Sequence, residues 1–200
     1  MTVTNARKSK HPLTFGDLTP REQMGLRTAV HESSHAIVGT LLGGRVRSAV
    51  LSVGRMFGVN GLTTFEETAR DSAPLIAYAG PYGEARWLEG GRHPSQRLMF
   101  ALMRGSGGGD HRALCAAAAS ADVYGTGNTS AEARRRVPPL LDRAWPAVIN
   151  LAQVVHREGE ARHEHVLAAL GITDGGGPGS SQLASLKAGL RRVPPISPPA

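Results

Sequence analysis

The stretch TPREQMGLRTAVHESSHAIVGTLLGG, residues 19–44, decides the fold. Thr19 can cap a helix, Pro20 suits the first helical position, and Glu22, three residues after Thr19, completes a capping box. The helix then runs to Gly43 and Gly44, a natural stop. Ala29, Val30, Ala36, Ile37, Val38, Leu41 and Leu42 make it apolar on nearly every side, as expected of a helix buried in a core. Inside it stand His31, Glu32 and His35, an HExxH pattern. Residues four apart share a helix face, so both imidazoles reach one metal ion while Glu32 projects beside it. Two surface histidines on a solvated helix would be the bland alternative. The apolar flanks argue against that, because buried imidazoles and a buried carboxylate are costly unless paired or metal-bound. The chemistry this pattern suits is that of zinc: neutral imidazole ligands, an open position for water, and a base next to it.

Two histidines do not complete a zinc site, so a third protein ligand is required. The glycine and histidine that a metzincin carries downstream do not follow His35. Two acids remain. Glu84 stands in the next helical segment, and Asp110 follows the glycine turn 105–109 at the start of another helix, where an aspartate is also a common cap. Spacing alone leaves Glu84 and Asp110 open.

Working outward, Arg45–Val53 and Val59–Phe65 read as two strands joined by a turn over Gly54–Gly58. A helix opened by Asp71 or Ser72 runs to Gly90–Gly91, with a kink or break expected at Pro81 and Gly83. After an apolar stretch, Leu98–Met103, the segment Asp110–Val123 reads as a helix. Further helices are expected after the loop 125–130, at Ala131–Arg136, Pro138–Glu158 and Glu164–Leu170. The fold class is therefore mainly α with a small β-hairpin or sheet, an α+β protein. Residues 1–18 read as a flexible segment, 19–170 as the folded domain, and 171–200, with six glycines and five prolines, as a disordered tail.

Composition bounds the function. The 200 residues suffice for one domain with a core, and aromatics at 4 % mean that Ala, Leu and Val must build it. A single cysteine, Cys115, excludes a disulfide framework and a cysteine-based zinc finger, and reads as a small buried thiol. The net charge of +7 has no interleaved aromatics or reading helix beside it, so nucleic acid is not the expected partner. No signal peptide or apolar span of about 18 residues occurs, which gives the expectation of a cytoplasmic protein without a membrane anchor.

Four segments in order, AVHESSHAIVGTLL (29–42), LIAYAGPYGEARWLEGG (75–91), GSGGGDHRALCAAA (105–118) and AWPAVINLAQVVHREGEARHEHVLAAL (144–170), resemble the peptidase domain of FtsH-type zinc metalloproteases. The similarity covers roughly residues 19–170, and only the HExxH pattern is specific by itself. The resemblance implies a zincin-like, FtsH-type helical domain that hydrolyses peptide bonds. It implies zinc held by His31, His35 and Asp110, with Glu32 as catalytic base and Glu84 as an acid orienting a ligand histidine. Ser34 stands where the family has glycine. No GxxxxGK[ST] phosphate loop occurs, so ATP-driven threading does not carry over. The expected substrate is a flexible or unfolded polypeptide, extended along the strand Val59–Phe65, and a separate ATPase or a homo-oligomer is the partner that could feed it. Tyr82, His93 and His111 are the candidates for stabilising an oxyanion. The competing reading is a metal-bound regulatory or binding module without peptidase activity, although such a module would have no need of Glu32.

Overall fold

The computed structural model describes residues 15–54, 58–124 and 129–198. The first fourteen residues, the tip of the 54–58 turn and most of the 125–130 loop lie outside the described residues. Helix α1, Pro20–Leu41, begins as its sequence demands: Glu22 N–H donates to Thr19 Oγ1, and the Glu22 carboxylate accepts from the Thr19 N–H at 2.7 Å. Every residue from Ala29 to Leu41 is buried. The helix packs against α2 (Ala73–Leu88), α5 (Thr129–Glu158) and a small sheet, which explains its all-round apolar character. Ile37, Val38 and Leu41 meet Leu141, Val148 and Leu151 of α5 in one core.

The sheet is antiparallel and three-stranded in the order β2-β1-β3, built from β1 (Arg45–Gly54), β2 (Gly58–Glu67) and a two-residue β3 (Glu160–Ala161). The two expected strands are present, and β3 was not foreseen because two residues carry no pattern. Val46, Ala49 and Leu51 all bury, and the irregularity in pairing between Val46 and Ser48 absorbs the odd spacing. β2 lies at an open edge of the sheet.

Three expectations about helices are corrected. Of the kink or break expected at Pro81 and Gly83, the break is absent: α2 continues through both residues, and its buried face, including Leu75, Ala79 and Tyr82, holds it in place. The two helices expected over 131–158 are one, α5, despite Pro138, Pro139 and Pro146. Val137, Leu141, Ala144, Val148, Leu151 and Val155 recur at helical spacing and are buried, so packing outweighs the carbonyl partners that the prolines remove. The stretch around Leu98 is a helix, α3 (Gln96–Arg104), capped by Ser95, whose Oγ accepts from the Leu98 N–H.

The expected tail is also corrected over the described residues up to 198. Ile172, Leu183 and Leu186 are buried in the main core, the last two on helix α7 (Ser181–Lys187). Asn150 binds the backbone of Pro195 and Ser197. Glycine and proline dominate the composition of this segment, but three well-spaced apolar side chains suffice to dock it. Cys115, expected to be buried, is exposed on α4 (Gly108–Tyr124). No helix among the described residues is long and apolar enough to cross a membrane.

His163 opens α6 (His163–Leu170) and is buried against β1, where its Nδ1 accepts the Val46 N–H. Burial and the nearby Arg45 cation hold its pKa below the ordinary value. The unfolded chain therefore binds the proton more readily, and this contribution to stability is complete above about pH 6.5. It is expected to be lost as the pH falls below that value. Comparing acid unfolding of wild type and His163→Gln checks this: the variant should show the shallower decline.

Candidate metal centre

Three elements converge on one point. α1 supplies His31 and His35, whose rings meet edge to face with centroids 4.8 Å apart. α4 supplies Asp110, in its first turn rather than at its cap, since the helix begins at Gly108. Its carboxylate oxygens lie 3.0 Å from His31 Nε2 and 3.3 Å from His35 Nε2. The turn before it must be tight, because a Cβ on Gly107 would stand 2.8 Å from Pro81 Cγ.

The tautomers of both histidines follow from their outer partners. His31 Nδ1 donates to Glu84 Oε2 at 3.1 Å, and His35 Nδ1 donates to the Ile76 carbonyl at 2.6 Å. Each acceptor lacks a proton of its own, so each Nδ1 carries one and each Nε2 faces the Asp110 carboxylate, where a metal ion would take the place of an Nε2 proton. Glu84 is fixed in turn by Arg27 Nη2 at 2.7 Å and Ser106 Oγ at 2.9 Å. Sequence spacing left Glu84 and Asp110 open as ligands; the geometry places Asp110 at both Nε2 atoms and Glu84 behind His31.

The electrostatics favour a cation. Burial opposes charge on His31, but the Asp110 and Glu84 carboxylates outweigh it and push its pKa up to about 10. Burial likewise opposes ionisation of Asp110, yet its hydrogen bonds with His31 and His35 hold its carboxyl well below the usual range. Glu84 is also held low: burial is overcome first by His31, with Arg27 and Ser106 adding to the effect.

The donor set fits a metal ion. His31, His35 and Asp110 each offer one ligand atom, and all three atoms lie within 4.8 Å of one another. Tetrahedral nitrogen and oxygen ligands of zinc sit about 3.3 Å apart, which matches the two carboxylate–imidazole separations. The space for an ion is preserved by Gly80 of α2, where a Cβ would overlap His35 Nε2 and stand 2.6 Å from His31 Nε2.

Glu32 lies beside this triad, under the open strand. Thr63 Oγ1 lies 2.7 Å from Glu32 Oε2 and 3.1 Å from the Glu32 carbonyl, and a Cβ on Gly61 would overlap Oε1. Two clefts meet at His31 and Glu32. One, of about 440 Å³, is lined also by His35, Thr63 and Asp110, and the other, of about 630 Å³, by Met24, Leu88 and Leu98. Thr63, Gly61, Gly80 and Ser106 escaped the sequence reading. Gly80, a glycine inside an apolar helix, was the one with a visible signal. The other candidates fall elsewhere: Tyr82 and His93 bond to each other at 2.8 Å in a separate cavity, and His111 is exposed beside Cys115.

Ser34, beside the metal-site histidines on α1, is accommodated locally. Its Oγ donates to the Val30 carbonyl at 2.7 Å, and a Cβ on the facing Gly83 would overlap that oxygen. Gly83→Ala is expected to destabilise the chain by about 1–3 kcal/mol, the usual range for overpacking. Adding Ser34→Gly should recover most of this, and thermal unfolding of both variants measures the coupling.

No known family profile matches this chain, and no curated protein is similar to it in sequence.

Proposed function

We propose that the chain is a zinc-dependent metalloendopeptidase with a zincin-like core resembling the FtsH-type peptidase domain. What carries this reading is the buried carboxylate of Glu32, set between a three-ligand cation site and an open sheet edge. His31, His35 and Asp110 would hold the zinc, which when bound supplies Lewis acidity toward a water and a peptide carbonyl. Glu32 accepts the proton of the attacking water and delivers it to the leaving amine. Glu84 and the Ile76 carbonyl hold the two Nδ1 atoms, so that each Nε2 is aimed inward as the ligand atom. Thr63 steers the Glu32 carboxylate. The substrate backbone pairs with β2, which holds an extended chain while reading little of its sequence, so unfolded segments are the natural substrates.

Cleavage of unfolded casein by the purified chain tests the reading. It should require metal, cease on chelation and return with one equivalent of zinc. A zinc-loaded chain that cleaves none of a range of unfolded substrates would leave a metal-binding module instead.

A further inference from the structure

On the other flank of α2, a concave site of about 650 Å³ lies between its first turn, the middle of α5 and the end of α7. Leu75 and Leu140 contribute an apolar floor, while Arg135, Arg136, Arg143 and Lys187 stand around it with Asp71 as the single carboxylate. Arg136 pairs with Glu132, and Arg143 donates to the Lys187 carbonyl. Arg135 and Lys187 have no ion-pair partner among the described residues. Arg136 and Arg143 are two helical turns apart and share a face. Docking of α7 through Leu183 and Leu186 brings Lys187 to the same cavity, although that packing needs no cation at 187. With Arg136 paired to Glu132 and Asp71 on the rim, the four cations still outnumber the carboxylates beside them, and an anion relieves their repulsion.

We infer that this cavity binds a small phosphate-bearing molecule, a phosphoanhydride with an apolar body. Guanidinium forks match phosphate oxygens in pairs, and lysine adds a point charge. The volume falls in the range of small-molecule sites, and a concave cavity suits a compact ligand better than an acidic polypeptide, which needs a broad face. The leucine floor remains for the body of the ligand. This site stands independently of the metal centre.

Calorimetric titration of the full chain at low ionic strength, with inorganic pyrophosphate and with a nucleoside diphosphate, tests the inference. Both should bind, the nucleoside diphosphate more tightly. Arg135→Gln and Lys187→Gln should each weaken binding about tenfold, as expected for loss of a charge-assisted hydrogen bond. Asp71→Asn should tighten it. Arg97→Gln on α3 should leave it unchanged, and unaltered melting temperatures would show that the exposed substitutions spare the fold. Equal affinity for pyrophosphate and nucleoside diphosphate would overturn the role of the floor. Equal binding by wild type and the Arg135→Gln/Lys187→Gln double variant, or no saturable binding of either probe, would overturn the site. Binding of poly-glutamate in their place would assign the rim to an acidic polypeptide.

Discussion

Asp110→Ala is expected to strip metal from the protein, while Glu84→Gln only weakens its hold. The two acids flank the same imidazole, but they do different work. Asp110 reaches Nε2 of both His31 and His35, so its loss leaves two ligands where zinc takes at least three from a protein. Glu84 touches only His31 Nδ1, and loss of such an outer partner costs about 10–100-fold in affinity. Metal content after dialysis, followed by competition with a chromogenic chelator, gives the ordering. Asp110→Ala should fall beyond the Glu84→Gln range; the reverse order would return the third ligand to Glu84.

Gly80→Ala is expected to be nearly as severe, although the substitution adds a single methyl group. On helix propensity alone, alanine in place of glycine would favour α2 by about 1 kcal/mol. Here the added carbon would occupy the space between the two imidazoles, so one ring must rotate away or the ion is excluded. The variant should therefore remain folded by circular dichroism while its zinc affinity drops at least about a hundredfold, the upper end of the loss for disturbed ligand orientation. Full retention of zinc by a folded Gly80→Ala protein would show that α2 does not pack against the ion.

The sequence exposed α1 almost completely, because its caps, its apolar faces and its motif are all local signals. The hairpin was legible for the same reason. What could not be read depended on contacts between distant segments. α5 survives three prolines because a buried stripe from Val137 to Val155 holds it, and segment 171–198 docks through Ile172, Leu183 and Leu186. In both places, breaker residues dominated the composition while a few apolar positions decided the structure. At the candidate site, His31, Glu32 and His35 were apparent from spacing. Asp110 stood open against Glu84 on spacing and was favoured only through the family resemblance, because its position depends on the glycine turn folding onto α2, and Thr63 needed β2 to lie over α1. Neither relation has a period or a motif. Gly80 and Gly83 show the same limit from the opposite side: each is a residue whose value lies in the atom it lacks.

The most direct test of the proposed chemistry compares Glu32→Gln with wild type, measuring zinc content and casein cleavage on the same preparations. Glutamine keeps the shape of the side chain and its contact with Thr63 but cannot take a proton. The account requires full zinc occupancy in both proteins and cleavage in the wild type alone. Cleavage by zinc-loaded Glu32→Gln at the wild-type rate would contradict it.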